Sequence, residues 1–130
     1  MRDQVITRDI VADPKSHYGD AKASTRHFIT QRLTGALNIA FLAFLLFVVL
    51  RLAGHDRGEM VETLGSPWIG LPLAILLLNV AIHMRNGMRD VLEDYFTGGA
   101  YRLYMSLNTI FTLLIAVAGV AALLKLVFWG

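Results

Sequence analysis

A chain of 130 residues is long enough for one domain, and 55% of its residues are hydrophobic. The mean hydropathy is positive and the formal net charge is only +2, which excludes an ordinary soluble domain and gives no sign of a nucleic-acid-binding surface. The chain contains no cysteine, so it offers no disulfide framework, no cysteine-ligated iron–sulfur cluster and no covalent c-type haem attachment.

The first 31 residues are polar, with Pro14, Gly19 and scattered charges but no sustained apolar stripe. They are expected to form an irregular N-terminal tail, 1–31, ahead of a membrane domain that covers 32–130. No small-residue cleavage site follows this charged tail, so we expect no removed secretory signal and the first apolar helix should stay in the mature protein.

Three later segments, 33–50, 63–84 and 103–124, contain no Lys, Arg, Asp or Glu. Helices rise about 1.5 Å per residue, so these runs would cover roughly 27 to 33 Å and match a hydrocarbon core of about 30 Å. Lipid-spanning structures are helices or closed barrels, and the runs lack the alternation of barrel strands. The sequence predicts an all-α integral membrane fold with three transmembrane helices, at about residues 30–52, 66–95 and 101–128.

Breaking residues set the expected helix ends. Gly54 is a suitable stop for the first helix, and 55–62 should form a short charged connection. Ser66–Pro67 provides a cap and a first-turn proline for the second helix. The next clear breaker is Gly98–Gly99, so the second helix is expected to leave the membrane and to end near Tyr95.

Lys and Arg are distributed unevenly between the two sides of the predicted bundle. Nine lie on the side of the N-terminus: Arg2, Arg8, Lys15, Lys22, Arg26, Arg32, Arg85, Arg89 and Arg102. Three lie on the other side: Arg51, Arg57 and Lys125. Because cytoplasmic segments are enriched in these residues, we expect a cytoplasmic N-terminus and a C-terminus on the opposite side.

The second helix carries a polar stripe, since Asn79, His83, Asn86, Gly87 and Asp90 share one face. His83 is the one histidine inside an apolar run, and its neutral imidazole offers a lone pair to haem iron. Gly87, one turn further, would leave a slot for a flat porphyrin. The alternative is that His83 and Asn79 bond to neighbouring helices and Gly87 is a close-packing contact.

Residues 83–95, HMRNGMRDVLEDY, resemble the H-x3-G-x6-D-Y segment of the small hydrophobic membrane anchor subunit of succinate dehydrogenase, respiratory complex II. Residues 31–35, QRLTG, are similar to the family's entry into its first helix, although Gly35 stands where alanine is common. The serine- and proline-containing signature of the larger anchor subunit is absent. With the three-helix layout, the resemblance covers nearly the whole chain.

The resemblance implies roles for five residues. His83 would be an axial ligand of the iron of haem b, with Gly87 packed on the haem and Arg32 near a propionate and the quinone pocket. Tyr95 would donate a hydrogen bond to a ubiquinone carbonyl, with Asp94 as a supporting acceptor or proton relay. Taken alone, Arg32 suits a positive-inside anchor, which is common for an arginine here, and Tyr95 is better explained as an interfacial aromatic residue. The adjoining motif favours the quinone role for Tyr95.

The resemblance also implies a heterotetramer in the cell inner membrane, with the C-terminus of this chain in the periplasm. A larger cytochrome b anchor subunit would pack against the bundle and supply the second haem ligand. A flavoprotein subunit would oxidise succinate at FAD, and an iron–sulfur subunit would pass the electrons on to ubiquinone. This chain would lie among membrane lipids and would bind the haem and the quinone. It would have no succinate site, so it would be an enzyme only as part of the complex.

Two other functions stay open from the sequence. A small transporter or assembly protein could use His83, Asn79 and Asp90 as a polar path through the membrane. The anchor of a fumarate reductase would share the same features, because the direction of the reaction depends on potentials elsewhere in the complex.

Overall fold

The structure is a computed structural model that describes the backbone of residues 21–130 and the side chains from residue 23 onward. This part of the chain forms four helices and no strand: α1 (Ala21–Leu52), α2 (Arg57–Gly65), α3 (Pro67–Tyr95) and α4 (Gly98–Trp129). Three of them, α1, α3 and α4, are long and apolar enough to cross a membrane. The predicted all-α fold with three membrane helices is confirmed.

The first helix begins at Ala21 rather than near residue 30. The irregular structure expected up to residue 31 is therefore not found in 21–31, which are helical, whereas 1–20 lie outside the described residues. This segment contains no Gly or Pro and several good helix formers, so it does not interrupt the helix. It also packs on α3 through His27 and Gln31, contacts that a search for a long apolar stripe does not anticipate.

The connection expected at 55–62 contains a helix of its own, α2. The Asp56 carboxylate accepts a hydrogen bond from the backbone N–H of Glu59 at 2.9 Å, and the Asp56 N–H donates to the Glu59 carboxylate at 3.1 Å. This reciprocal capping box satisfies two N–H groups at the start of the helix. Before it, Gly54 has a φ of 79°, in the left-handed region that favours glycine, and this lets the chain turn after α1.

The second membrane helix, α3, lies between α1 and α4 and makes its most extensive contacts with α4. Helices α3 and α4 are antiparallel, as two of their contacts show. Near one end Asn108 donates to the carbonyl of Arg85, and near the other Gly70 lies against Val127. The short α2 packs on α4 and on the start of α3. Helix α3 therefore contacts both of the other membrane helices, α1 and α4.

The contact surface of α1 is one narrow stripe. Its buried residues, Thr34, Phe41 and Val48, are seven positions apart, which places them on one face at two-turn intervals. Large apolar residues elsewhere on α1, such as Leu42 and Leu46, are exposed. In a bilayer this surface faces acyl chains or another membrane helix.

All three membrane helices are longer than the hydrocarbon core. With 32, 29 and 32 residues, α1, α3 and α4 extend over about 44 to 48 Å, against a core of about 30 Å. Their ends therefore reach beyond the acyl chains. The end of α3 that carries Asp90, Glu93 and Asp94 is one of these protruding segments.

Replacing Gly70 with alanine is predicted to destabilise the bundle. A Cβ atom there would overlap the backbone carbonyl of Leu64 and the side chain of Val127. The carbonyl belongs to α2 and cannot rotate away, so the Tm of the detergent-solubilised protein should fall, at a cost of about 1–3 kcal/mol. Gly99→Ala is the matched control, because a Cβ there meets no atom of residues 23–130 within 4 Å. Equal thermal stability of the Gly70 variant and the control would contradict this packing.

Candidate functional site

Helices α1 and α3 meet through a row of polar side chains on the single face that each turns to the other. Polar groups at membrane depth require partners, and here each helix provides them for the other. This polar seam comprises His27, Gln31, Thr34 and Asn38 of α1 with Asn79, His83, Gly87 and Asp90 of α3. Its members recur every three or four residues on both helices. They pair in reverse order, from His27 with Asp90 to Asn38 with Asn79, so the two rows run antiparallel.

His83 lies in the middle of the polar seam. Its Nδ1 is 3.1 Å from the hydroxyl oxygen of Thr34, a buried residue, while the imidazole itself is half-buried. The edge of the ring lies beside Gly35, where an added Cβ would be 3.2 Å from the ring carbon Cε1. Within residues 23–130, Nε2 has no hydrogen-bond partner. Nδ1 is thus held by α1, whereas Nε2 has no partner among the described residues.

Asn79, one turn before His83 on α3, fixes the same part of α1. Its amide nitrogen donates to the backbone carbonyl of Thr34 at 3.0 Å and to Oδ1 of Asn38 at 2.6 Å. Thr34 is therefore hydrogen-bonded to α3 through its backbone as well as through its side chain. This arrangement limits the freedom of the imidazole.

Beyond His83 the polar seam continues with Gly87 and Asp90. A Cβ at Gly87 would lie 3.2 Å from Nε2 of Gln31, so the missing side chain leaves room for that glutamine. Oε1 of Gln31 is buried and has no hydrogen-bond partner among the described residues. His27 and Asp90 form a partly exposed pair with 2.6 Å between Nε2 and Oδ1. In the single chain Gly87 is a close-packing contact with α1, and its contact with haem stays a prediction.

Arg32 lies outside the polar seam. A helix turns about 100° per residue, so Arg32 is about 200° around α1 from Thr34. Its guanidinium carbon lies 4.6 Å from the centre of the Phe28 ring, a cation–π contact on the exposed side of the helix. It forms no ion pair with a residue that the structure describes. Its charge is therefore not neutralised by an acidic side chain of residues 23–130.

Asp94 and Tyr95 are exposed at the last turn of α3, and Tyr95 retains 78% of its accessible surface. Tyr95 is about 18 Å along the helix axis from His83. In the described part of the chain, neither side chain has a hydrogen-bond partner. The structure separates this pair from the histidine and leaves it open to a neighbouring molecule.

A second polar contact, between α3 and α4, involves residues that the sequence analysis did not single out. Asn108 donates to the carbonyl of Arg85 at 3.0 Å, and Nε of Arg85 donates to the hydroxyl of Thr109 at 3.1 Å. Thr112 is buried one turn further and donates to the carbonyl of Asn108. The signal was present as polar residues at helical spacing within the third apolar run. The same signal in the first run would have found the α1 side of the polar seam.

Side chains at the charged end of α3 bond to each other and to α4. Nε of Arg89 is 2.7 Å from the carboxylate of Glu93, an i,i+4 pair, and the Tyr101 hydroxyl donates to the same carboxylate at 3.3 Å. The rings of Phe96 and Tyr104 are in tilted contact, with 4.5 Å between their centroids and 43° between their planes. These contacts fix the segment next to Asp94 and Tyr95.

The donor set of the polar seam suits a single axial ligand. Within the described residues no three His, Cys, Asp or Glu side chains form a group that could hold a metal ion by itself. An imidazole with one nitrogen bonded to the protein and the other free is the usual arrangement of a metal-ligating histidine. His27 is paired with Asp90, and His55 lies in the connection beyond the other end of α1. The described residues therefore fit one axial ligand of a b-type haem, His83.

Comparisons with known proteins point to one family. The family model for the succinate dehydrogenase/fumarate reductase transmembrane subunit matches residues 11–122. The succinate dehydrogenase hydrophobic membrane anchor subunit of Paracoccus denitrificans is 24% identical over 108 residues, which are 83% of this chain and 84% of that protein. A protein of the same description from Rickettsia bellii is 28% identical over 105 residues, 80% of this chain and 84% of the relative.

No solved structure gives a significant match to the chain. The region matched by the family model includes all of α1, α2 and α3 and most of α4. The chain belongs to the family of transmembrane subunits of succinate dehydrogenase and fumarate reductase.

Proposed function

We propose that this chain is the small membrane anchor subunit of a succinate dehydrogenase and helps to bind haem b and ubiquinone, so that electrons from succinate oxidation reduce ubiquinone. The family membership and the descriptions of the two relatives support the anchor role. The observation that carries the haem assignment is the state of His83. Its Nδ1 is bonded to Thr34, while Nε2 has no partner in the described part of the chain.

The depth of His83 also supports the assignment. It lies about 24 Å along the axis from the first residue of α3 and about 18 Å from the last, well inside a spanning helix. An ionisable residue at such depth is costly and tends to have a function. A half-buried imidazole satisfied on one nitrogen is suited to receive a cofactor from outside the chain.

Arg32 and Gly87 would complete this chain's part of the haem site. The exposed guanidinium of Arg32 would form two hydrogen bonds to a propionate carboxylate and neutralise its charge. Gln31 lies over Gly87, so a haem contact at this glycine requires the Gln31 side chain to rotate. When bound, haem b supplies a one-electron carrier at this place.

One chain supplies one axial ligand here, so the second would come from the larger cytochrome b anchor subunit. The exposed apolar surface of α1 is available to that subunit and to membrane lipids. A flavoprotein subunit with FAD and an iron–sulfur subunit would carry out succinate oxidation and the electron transfer that follows it. The complex would be a heterotetramer, and we assign this chain no part in the oxidation of succinate.

Asp94 and Tyr95 would belong to the quinone site. The Tyr95 hydroxyl would donate to one carbonyl oxygen of ubiquinone, which takes up two electrons and two protons to become ubiquinol. Asp94 would orient the tyrosine or pass a proton. Both side chains are exposed on the protruding end of α3, which supports a site completed by neighbouring subunits.

The family also includes subunits of fumarate reductase. Both relatives described above are named as succinate dehydrogenase subunits, and this favours succinate oxidation. As a transporter, the chain would need an open polar path, but Asn79, His83 and Asp90 are each bonded to α1. The anchor role is therefore the better supported function.

His83→Ala is predicted to remove haem b from the purified complex. The substitution deletes the proposed ligand without adding volume, so the complex should assemble with little or no haem, measured by its reduced-minus-oxidised absorption spectrum. His55→Ala is the matched control, because His55 is exposed in the connection after α1. A full haem signal from the His83 variant in an assembled complex would refute the ligand assignment.

Tyr95→Phe is predicted to slow quinone reduction about tenfold, which corresponds to one hydrogen bond of about 1.4 kcal/mol. The measurement is succinate:ubiquinone reductase activity, with succinate-dependent reduction of a soluble dye as the internal control. Tyr104→Phe removes a hydroxyl from another exposed tyrosine nearby and should leave both activities unchanged. If the Tyr95 variant reduces ubiquinone at the normal rate, its proposed role is wrong.

The proposed orientation has the N-terminus in the cytoplasm and the C-terminus in the periplasm of the inner membrane. The chain lacks cysteine, so single cysteines report one position each. At His55→Cys, in the connection after α1, we expect labelling of intact spheroplasts by a membrane-impermeant maleimide. At Thr97→Cys, between α3 and α4, labelling should require permeabilised membranes. The opposite labelling pattern would reverse the orientation.

A further inference from the structure

The hydroxyl group of Thr34 is committed to its own helix. Its oxygen lies 2.7 Å from the carbonyl oxygen of Thr30 and 3.2 Å from that of Gln31. Carbonyl oxygens accept hydrogen bonds and cannot donate them, so the close contact with the Thr30 carbonyl requires the one hydroxyl hydrogen to lie between these two oxygens. The oxygen of Thr34 is left with lone pairs only.

This commitment determines which nitrogen of His83 carries hydrogen. Nδ1 lies 3.1 Å from the same oxygen, which in this arrangement can only accept. Nδ1 must therefore donate, and in a neutral imidazole the lone pair then belongs to Nε2. The tautomer with a free Nε2 is the one that a metal ligand needs.

Thr34 is itself held firmly enough to impose this choice. It is buried, and its backbone carbonyl accepts a hydrogen bond from Asn79, whose amide also bonds to Asn38. Gly35 leaves space for the edge of the imidazole, since a Cβ there would lie 3.2 Å from Cε1. The imidazole ring is therefore oriented by its hydrogen bond to Thr34, which Asn79 holds in place, and by the space beside Gly35.

We propose that Thr34 is a positioning residue that holds His83 with hydrogen on Nδ1 and the lone pair on Nε2, ready to bind haem iron. The inference rests on the proposed function of His83 as a haem ligand. A hydrogen bond from the far nitrogen of a ligating imidazole fixes the orientation of the ring and increases its basicity. A more basic ligand favours ferric over ferrous iron, so Thr34 would also lower the reduction potential of the haem.

The test compares three variants of the intact complex. Thr34→Val replaces the hydroxyl with a methyl group of similar size, and Thr34→Ser keeps the hydroxyl. Thr112→Val is the matched control, because Thr112 is also buried and bonds to carbonyls three and four residues earlier in its own helix, α4. The readouts are haem content per flavin, the reduction potential of the haem and the electron paramagnetic resonance spectrum of the ferric haem.

Thr34→Val should weaken haem retention about tenfold or more, and any haem retained should have a higher potential and an altered ferric spectrum. Thr34→Ser and Thr112→Val should resemble the unaltered complex. Haem content, potential and spectrum that are all unchanged in Thr34→Val would overturn the proposal. Equal effects of the Val substitutions at positions 34 and 112 would also overturn it, since they would indicate a general packing defect.

The His83 and Thr34 variants distinguish a wrong haem ligand from a wrong role for Thr34. If His83→Ala retains its haem, the ligand assignment itself is wrong, whatever the Thr34 variants show. If His83→Ala loses haem while Thr34→Val keeps its content, potential and spectrum, the ligand stands and the role of Thr34 is refuted.

Discussion

The polar seam between α1 and α3 is the contact on which the rest of the site depends. A bilayer provides no water to satisfy polar groups, so side chains such as Asn79 and His83 must find partners on a neighbouring helix. Thr34 meets both of them, through its carbonyl and its hydroxyl. The same hydrogen bonds that set the register of the two helices therefore set the orientation of the imidazole. Helix packing and the orientation of the proposed haem ligand are in this way coupled through one buried threonine.

Helix α3 carries two proposed sites at different depths. His83 lies inside the membrane, whereas Asp94 and Tyr95 lie about three turns away on the protruding end. Contacts with α1 hold the first site, and the link from Arg89 and Glu93 to α4 stiffens the second. Each proposed site would be completed by other subunits, which agrees with the large exposed apolar surface of the described residues.

The uncharged runs and the spacing along α3 were sufficient to predict the three membrane helices and the shared face of Asn79, His83 and Gly87. Local signals were overlooked in three places: the capping box at Asp56, the polar residues of α1 and the polar residues of α4. Arg32 illustrates a different limit, since periodicity alone puts it on another face from Thr34, while its proposed role depends on a ligand and a partner outside this chain. Sequence patterns report which side chains share a face, but the partner of that face is decided by tertiary packing.

The most direct measurement is an experimental structure of the complete complex purified with its cofactors. We expect Nε2 of His83 on the haem iron, Nδ1 still bonded to the hydroxyl of Thr34, and the other axial ligand from a second anchor subunit. An intact complex in which this imidazole points to lipid, or in which the iron is held entirely by other residues, would contradict the assignment.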